Sequence, residues 1–347
     1  MVRLGPANLI CDRDVSGCLF DRLQAGPPGR RGEIARLLFR GLATRESARL
    51  APGTVLLNPG HSGLDRDNYA PLLRCPQTTA VCVVHDLIPL THPEFCRAGE
   101  HARHTARMQR ALAMAGAVIT NSQATADALA VFAAGTGARL PPVTVALLGP
   151  GLVTEAPRRR RLAEPYFVML GTIEPRKNHW FVLQIWRRLV ERLGSRAPRL
   201  VLLGRRGWEC EHVVDLLERC AALRGVVLEM PGCSDAEVAS YLHHAQALLF
   251  PSFVEGYGMP VLEALMEGVP VIASSLPVFR EFAQDIPEYL DPLDGPGWLE
   301  TILDYAGEPG TLRARQIRRL AGFRPPSWAS HFDAVDGILA RLLPRMV

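Results

Sequence analysis

Glu255-Gly-Tyr-Gly-Met-Pro-Val-Leu-Glu263 is the stretch that decides the fold. It follows the apolar run 247–251, which predicts a short buried strand. Pro260 suits the first turn of a helix, where its missing N–H would have no partner anyway. Apolar residues then recur at helical spacing, and the run 269–273 predicts the next strand. The stretch therefore predicts the order strand, glycine loop, helix, strand.

A loop of this kind predicts an anion site, because free backbone N–H groups and the positive end of a helix meet at the sheet edge. Gly256 and Gly258 would let the main chain approach a phosphate closely. Glu255 and Glu263 flank that site, and carboxylates accept hydrogen bonds from hydroxyls, as acidic residues do on ribose. N–H groups that donate to a phosphate, placed between two carboxylates that accept from hydroxyls, fit a sugar nucleotide. The alternative is an ordinary loop glutamate and a solvated helix glutamate.

Strands alternate with helices along most of the chain, which predicts two open parallel α/β sheets. We expect a first domain over residues 1–152, a linker over 153–164, a second domain over 165–330 and a C-terminal helix within 331–347. Ligands of such sheets bind beyond the carboxyl ends of the strands. The site is therefore expected in the cleft between the two sheets.

Two further segments place charged or titratable groups at strand ends. Residues 171–178 follow a strand and include Arg176 and Lys177, which would neutralise a pyrophosphate leaving group. The alternative is a basic loop with an asparagine cap. His85 ends the predicted strand 79–84 and would point into the cleft, although a histidine at a strand end can also be structural.

Three segments of the chain resemble motifs of one enzyme family. The run Phe250-Pro-Ser-Phe-Val-Glu-Gly-Tyr-Gly-Met-Pro-Val-Leu-Glu-Ala264 resembles the Glu-x7-Glu signature of retaining family-4 glycosyltransferases, which have the GT-B fold. Gly171-Thr-Ile-Glu-Pro-Arg-Lys-Asn178 resembles the Gly-x5-Lys-Asn loop of that family. His85-Asp-Leu-Ile-Pro89 resembles its His-Asp-x-x-Pro motif. The resemblance implies two facing Rossmann-like domains with an interdomain cleft.

The resemblance also implies roles for individual residues. The first glutamate of the signature, Glu255, would face the donor sugar, and the second, Glu263, would hold the ribose hydroxyls. Arg176 and Lys177 would grip the donor diphosphate, and His85 would lie against the sugar at the reaction centre. The catalytic set is thus His85, Arg176, Lys177 and Glu255, and the donor-binding set is Gly171, Gly256, Tyr257, Gly258, Met259 and Glu263.

The reaction that the resemblance implies is transfer of a hexose with retention of anomeric configuration. GDP-mannose is the favoured donor, with a UDP-sugar as the alternative, because the segments at 85 and 174 resemble mannosyltransferases. The acceptor would be a glycan or a polyprenyl-diphosphate-linked saccharide in polysaccharide assembly. The leaving phosphate would accept the proton of the acceptor hydroxyl, so no cofactor is expected.

Composition describes a soluble globular protein, with 48% hydrophobic and 21% charged residues and a net charge of +4. No apolar run reaches the length of a membrane span, and the first residues lack the core of a signal peptide. Eight cysteines form no Cys-x-x-Cys pair, which is typical of reduced thiols in a cytoplasmic protein. The mild positive charge adds a peripheral contact with anionic lipid as an option, and no nucleic-acid partner is indicated.

Two Asp-x-Asp pairs, Asp12-Arg-Asp14 and Asp65-Arg-Asp67, match the pattern that holds a metal in the GT-A fold. Neither directly follows a convincing buried strand, and enzymes of the GT-B fold use basic residues instead. We therefore predict no metal site. The run 158–161 of four arginines is interpreted as a solvated linker, with a membrane or acidic-acceptor contact as the alternative.

The first 50 residues depart from the family, because they contain no Gly-Gly-Ile-x-Arg loop of the kind that helps to hold the acceptor. Either the chain is truncated, or the polar loop 58–63 substitutes. This departure keeps a second function open, an inactive nucleotide-sugar-binding partner of a complete glycosyltransferase. A phosphorylase would need a buried pyridoxal-phosphate lysine in the second half, where Lys177 is the only lysine.

Overall fold

Parallel strands form two separate sheets in the computed structural model, which describes residues 2–4, 7–9, 13–24, 31–43, 53–61, 63–64, 77–151, 159–307 and 310–343. Within these ranges the strands are β1 (Val2–Leu4), β2 (Ala7–Leu9), β3 (Val55–Asn58), β4 (Thr79–Val84), β5 (Ala115–Thr120), β6 (Val143–Val145), β7 (Tyr166–Leu170), β8 (Arg199–Leu203), β9 (Val227–Met230), β10 (Leu248–Phe250), β11 (Val271–Ser274) and β12 (Glu288–Leu290).

Helices fill most of the connections between these strands, because parallel strands need crossover connections. In the described ranges they are α1 (Arg13–Gln24), α2 (Arg31–Ala43), α3 (Ile88–Thr91), α4 (Glu100–Met114), α5 (Gln123–Thr136), α6 (His179–Leu193), α7 (Glu211–Arg219), α8 (Asp235–His243), α9 (Met259–Met266), α10 (Pro277–Ala283), α11 (Gly295–Ala306), α12 (Thr311–Leu320) and α13 (Trp328–Leu342).

Parallel pairing places the carboxyl ends of all strands of a sheet at the same edge. In the described part of the chain the first sheet has the order β3-β4-β5-β6 and the second the order β12-β11-β10-β7-β8-β9, and every pairing within them is parallel. A short antiparallel pair, β1 with β2, lies apart from both. The predicted fold class, two Rossmann-like parallel-sheet domains of the GT-B kind, is confirmed.

Several predicted elements match the structure to the residue, and others do not. Apolar runs in the sequence predict strands over 79–84, 166–170 and 199–203, and helical spacing predicts a helix over 179–193; the structure gives all four elements these bounds. Helical spacing also predicts a helix over 208–223, which is wrong in its ends, because α7 covers only Glu211–Arg219 and a separate turn of 3-10 helix follows at Ala221–Leu223. Helix α1 was not predicted, although Val15, Cys18, Leu19 and Leu23 recur at helical spacing.

The second sheet is buried on both faces, so its strands carry almost continuous apolar runs. One face packs on α8, α9 and α10 through residues such as Leu262 and Phe279. The other packs on α6, α7 and α11 around Trp186 and Trp298, both fully buried. This double burial fixes the positions of the loops at the carboxyl edge.

Direct contacts join the two domains close to the glycine loop. The Tyr257 hydroxyl donates to the Leu148 carbonyl at 2.7 Å. The Glu281 carboxylate accepts the backbone N–H groups of Gln123 and Ala124 at 2.6 and 2.8 Å, which lie at the N-terminal end of α5. Phe95 and Phe253 stack with ring centroids 5.1 Å apart.

The last helix packs against the first sheet, after the chain has completed the second one. Val335 and Ile338 of α13 lie in one buried cluster with Val81 and Ile119. The indole of Trp328 at the start of α13 donates to the Pro150 carbonyl. Of the predicted linker, the structure describes residues from 159 onward, and the Arg160 side chain there bonds to main-chain carbonyls.

We predict that Gly258→Ala destabilises the protein much more than Gly137→Ala. Both glycines have positive φ, +101° and +66°, which costs an alanine about 1–2 kcal/mol. A Cβ on Gly258 would also lie 2.5 Å from the buried Phe279 ring, whereas one on Gly137 meets nothing within 4 Å. Overpacking of this kind adds about 1–3 kcal/mol. Urea unfolding of both variants checks the difference, and equal losses would contradict it.

Candidate active site at the carboxyl edge of the second sheet

The loop after β7 presents two cations at the sheet edge. A 3-10 turn over Pro175–Lys177 carries them, and Asn178 then adopts a left-handed conformation that starts α6. Gly171, at the end of β7, has a φ of +140°, and a Cβ there would lie 3.6 Å from Lys177 Cε. That distance is an ordinary van der Waals contact, so the positive φ is what favours glycine at predicted donor-binding residue Gly171.

One carboxylate holds both cations of that loop. Lys177 Nζ lies 2.5 Å from Glu255 Oε1, and Arg176 Nη1 lies 2.5 Å from Glu255 Oε2. The Ser252 hydroxyl donates to Glu255 at 2.7 Å. The second end of the Arg176 guanidinium pairs with Glu174 at 2.6 Å. The predicted catalytic residues Arg176, Lys177 and Glu255 thus form a single ion-pair network.

The network is buried, so its members are strongly coupled. The Glu255 side chain is 7% exposed and that of Lys177 11%. Burial raises the pKa of a carboxyl group, but the Lys177 and Arg176 charges outweigh this and hold the pKa of Glu255 below its usual range. Burial lowers the pKa of the Arg176 guanidinium, but Glu255 and Glu174 outweigh it and raise that pKa. Both shifts favour the charged forms of Glu255 and Arg176, whereas burial lowers the pKa of Lys177 in spite of its pair with Glu255.

Lys177 is the only lysine among the 347 residues, so 38 of the 39 Lys and Arg residues are arginines. Its ammonium lies 4.6 Å from the centroid of the Phe250 ring, in addition to its pair with Glu255. An ammonium is a compact point charge, whereas a guanidinium is a broad planar fork. Lys177 thus places a compact charge between the Phe250 ring and the Glu255 carboxylate.

The glycine loop, residues 255–258, is packed against protein atoms. Its glycines therefore leave room for the protein itself, whereas the sequence predicted room for a phosphate. A Cβ on Gly256 would lie 2.8 Å from both the His85 carbonyl oxygen and Asp86 Cβ. The Ser122 hydroxyl donates to the Gly256 carbonyl at 3.3 Å. Gly256 therefore permits close approach of the first domain, and Gly258 the approach of the Phe279 ring.

The remaining predicted donor-binding residues lie against the segment 148–151 at the end of the first domain. Tyr257 is 4% exposed, and its hydroxyl bonds to Leu148, so its side chain joins the domains instead of facing a ligand. Met259 is the first residue of α9, and Glu263 lies one turn later. Both lie against the main chain near Gly151, since a Cβ there would be 2.9 Å from Glu263 Oε1 and from Met259 Cε.

The carboxyl end of β4 supplies the opposite wall of the site. The His85 ring contacts the Pro59 carbonyl through Nε2 at 2.7 Å, and Asp86 accepts the Ile88 N–H, which makes Asp86 the cap of a turn. A cavity of about 350 Å³ lies between the two edges, lined by Asp86 and Glu255 among others. The cavity therefore lies between the residues that follow β4 and the loop that contains Glu255, whereas His85, Arg176 and Lys177 are not among its lining residues.

Among the residues that the structure describes, no group of three or more His, Cys, Asp or Glu side chains is arranged to hold a metal. Asp12, Asp65 and Asp67 lie outside the described residues, so the two Asp-x-Asp pairs cannot be placed. No helix in the described ranges has the length and apolar character to cross a membrane.

Three residues of the site were not predicted, namely Glu174, Ser252 and His61. Glu174 and Ser252 lie inside the segments that carry the resemblance, and a polar residue in an otherwise apolar sheet edge is the signal that could have found them. His61 contacts the His85 backbone, and no pattern in the sequence links two histidines 24 residues apart.

A comparison with protein-family models matches residues 154–286 to "Glycosyl transferases group 1". The match covers β7 to β11 and so includes the whole ion-pair network and the glycine loop. The second domain therefore contains a region that matches the group 1 glycosyltransferase model.

Several curated relatives of the chain are named as mannosyltransferases, whereas others are named as D-inositol 3-phosphate glycosyltransferases. The O-antigen chain mannosyltransferase B of Escherichia coli is 32% identical over 163 residues, covering 47% of this chain and 42% of the relative. A serotype-specific mannosyltransferase WbdA of Escherichia coli is 28% identical over 283 residues, covering 76% of this chain and 33% of the relative. The chain thus spans less than half the length of these two mannosyltransferases.

Solved structures share the fold at low identity. An α,α-trehalose 6-phosphate synthase from Burkholderia multivorans superposes with a TM-score of 0.64 at 12% identity, covering 94% of this chain and 79% of the other. HepE from Anabaena, solved in complex with UDP, superposes with a TM-score of 0.63 at 14% identity, covering 89% and 83%. Both similarities extend over the two domains.

We predict that Glu255→Gln destabilises the protein by about 3–5 kcal/mol at pH 7, because two buried cations lose their shared partner. The folded-state pKa of Glu255 is depressed, so its contribution is present above the unfolded pKa of about 4.3 and is lost as pH falls through the folded value. The difference in free energy of unfolding between wild type and variant should therefore be constant from neutral pH to about pH 5 and decrease below about pH 4.

Urea unfolding at a series of pH values measures this difference. Glu300→Gln is the matched control, because its pair with Arg192 is exposed and worth only about 0–1 kcal/mol. A difference for Glu255→Gln that stays constant down to the acid transition would contradict the charge of Glu255 as its source.

Proposed function

We propose that the protein is a retaining glycosyltransferase that moves a hexose from a nucleotide-diphosphate sugar. The observation that carries the proposal is the buried network of Arg176, Lys177 and Glu255 at the carboxyl edge of the second sheet, inside the region that matches the group 1 glycosyltransferase model. Cations held in place before the reaction can stabilise charge that develops on a leaving diphosphate.

GDP-mannose is the favoured donor, since the relatives at 32% and 28% identity are named as mannosyltransferases. The UDP in the HepE structure keeps a UDP-sugar as the alternative. The name of one relative, O-antigen chain mannosyltransferase B, supports a growing saccharide as acceptor, which we take to be linked to a polyprenyl diphosphate. The enzyme would then work in the cytoplasm beside the inner face of the membrane.

The charge balance of the site favours this chemistry. Before the donor binds, two cations are balanced by Glu255 and Glu174. A diphosphate adds negative charge, which the N-terminal end of α9 at Met259 and the remaining donors of Arg176 and Lys177 would offset. Glu255 is poorly suited to act as a nucleophile, because both of its oxygens are engaged by cations.

In the proposed complex the leaving phosphate accepts the proton of the acceptor hydroxyl. His85 would lie against the sugar from the first domain, and Glu263 would accept hydrogen bonds from the ribose. Glu255 acts mainly by holding the two cations in position. Turnover should need no metal, because the cations do the work that a divalent ion does in other enzymes of this chemistry.

The alternative of an inactive nucleotide-sugar-binding partner has no specific observation in its favour. Its premise is the absence of the usual glycine-rich opening unit. The loop at Asn58 to His61 nevertheless lies at the carboxyl end of β3, next to His85, where a substitute for that unit would be needed.

A panel of sugar nucleotides tests the proposal. The purified protein is incubated with GDP-mannose, UDP-glucose and UDP-N-acetylglucosamine, each with a polyprenyl-diphosphate-linked saccharide, in buffer with EDTA. We expect release of GDP from GDP-mannose and a product one hexose heavier by mass spectrometry. Binding of a nucleotide sugar without release from any member of the panel would favour the inactive partner, and turnover only after adding Mg²⁺ would overturn metal independence.

We predict that Lys177→Ala lowers kcat by about 10²–10³ while changing the donor KM far less, because a cation beside the leaving group binds the transition state more tightly than the ground state. Lys177→Arg should not restore kcat, since a planar fork does not reproduce the point charge that Lys177 places between Phe250 and Glu255. Steady-state kinetics decide this, with exposed Arg188→Ala as the control. A change in KM alone would show that the lysine only anchors the donor.

A further inference from the structure

Three histidine rings meet at the carboxyl ends of β3 and β4, outside the region that matches the group 1 glycosyltransferase model. The ring centroids of His61 and His85 are 5.6 Å apart, and those of His61 and His104 are 5.0 Å apart in an edge-to-face arrangement. His61 belongs to the loop after β3, and His104 to α4. The two rings surround the start of the loop that carries His85.

Hydrogen bonds determine which nitrogen of the His85 ring carries a proton. Nε2 of His85 lies 2.7 Å from the Pro59 carbonyl, and a carbonyl can only accept, so Nε2 carries the hydrogen. The other ring nitrogen, Nδ1, is then an acceptor whenever the ring is neutral. The Asn58 side chain accepts the Gly60 N–H at 3.1 Å and so shapes the turn that presents this carbonyl.

The main chain of His85 is held as firmly as its ring. Its N–H donates to His61 Nε2 at 3.2 Å, which requires that nitrogen of His61 to be unprotonated. Burial, with smaller effects from His104 and His85, lowers the pKa of His61 to about 3, so the ring stays a neutral acceptor. On the far side, the Thr125 hydroxyl donates to the His85 carbonyl.

This arrangement connects the first domain to the glycine loop of the second domain. The His85 carbonyl is also the atom against which Gly256 packs, one residue after Glu255. His104 Nε2 donates to the carbonyl of the next residue, Asp86, at 3.2 Å. A shift of the His85 main chain would therefore move both the His85 ring and the wall that supports the glycine loop.

We propose that His61 is a positioning residue, which with Pro59 orients His85 so that its Nδ1 accepts a hydrogen bond from a hydroxyl of the bound sugar. The inference rests on the proposed function, because the sugar is the ligand that His85 would contact. It gives the loop Asn58–His61 a task that no resemblance assigns to it: the loop fixes both the tautomer and the main chain of His85.

The first test reads the tautomer without any turnover. Long-range ¹H–¹⁵N correlation spectra of the full-length ¹⁵N-labelled protein at pH 8 distinguish a protonated Nε2 from a protonated Nδ1. His85→Ala assigns the signal by its loss. We expect His85 with the proton on Nε2 in the wild type. In His61→Leu the His85 N–H loses its acceptor, so the ring should shift from the Pro59 carbonyl and show a mixture of tautomers. A wild-type His85 protonated on Nδ1, or a signal unaltered in His61→Leu, would overturn the proposal.

The second test separates positioning from stability. His61→Gln keeps an oxygen that can accept the His85 N–H, whereas His61→Leu does not. We expect His61→Leu to lower kcat with GDP-mannose by on the order of 10²-fold, the size of a misplacement of about 1 Å, and His61→Gln to recover most of it. His101→Leu, an exposed histidine on the same helix as His104, is the control and should match the wild type.

The two tests distinguish a failure of the positioning role from a failure of the proposed function. Equal losses of kcat in His61→Leu and His61→Gln, with thermal unfolding showing that both are folded, would mean that the acceptor atom has no role. The expected tautomer in a protein that turns over no sugar nucleotide would instead defeat the proposed function and leave the hydrogen-bond arrangement standing. If His61→Leu does not fold, the comparison of His61→Gln with the wild type decides, because Gln must retain the tautomer of His85.

Discussion

The shared ion pair of Glu255 with Arg176 and Lys177 is the constraint on which the geometry of the site depends. A carboxylate that is almost completely buried is tolerated only when it is paired and hydrogen-bonded. Glu255 meets that condition with two cations and the Ser252 hydroxyl. The loops after β7 and β10 are therefore locked to each other, and neither can move without leaving a charge uncompensated in a poorly hydrated place.

The second constraint acts across the domains. Gly256 packs on the main chain of His85, so the glycine loop is positioned by the first domain as well as by its own sheet. The Glu281 carboxylate and the Tyr257 hydroxyl add polar contacts between the domains. The His85 end of the first sheet and the cation loop of the second are thus held at a defined separation before a ligand arrives.

Local patterns were sufficient to predict the fold. Strands such as Tyr166–Leu170 are apolar runs bounded by clear turn residues, and Ser122 caps α5 as its position before an apolar run indicates. Gly256 and Gly258 were predicted to leave room for a phosphate, whereas the structure places them against His85 and the Phe279 ring. Tyr257 bonds to Leu148, 109 residues earlier, and Glu255 pairs with cations 78 and 79 residues earlier. Contacts over such distances are set by tertiary packing, which no local spacing records.

The single lysine gives this chain an unusual chemical property. Its surface basicity is carried by guanidinium groups, which do not react with acylating reagents under mild conditions, and its one ε-amine is enclosed between Glu255 and Phe250. Apart from the α-amine, an amine-selective label has therefore only one atom to find, and that atom becomes nucleophilic only when the ion pair opens. The rate of its acylation therefore reports how often the loop that carries Lys177 opens, without a mutation or a spectroscopic probe.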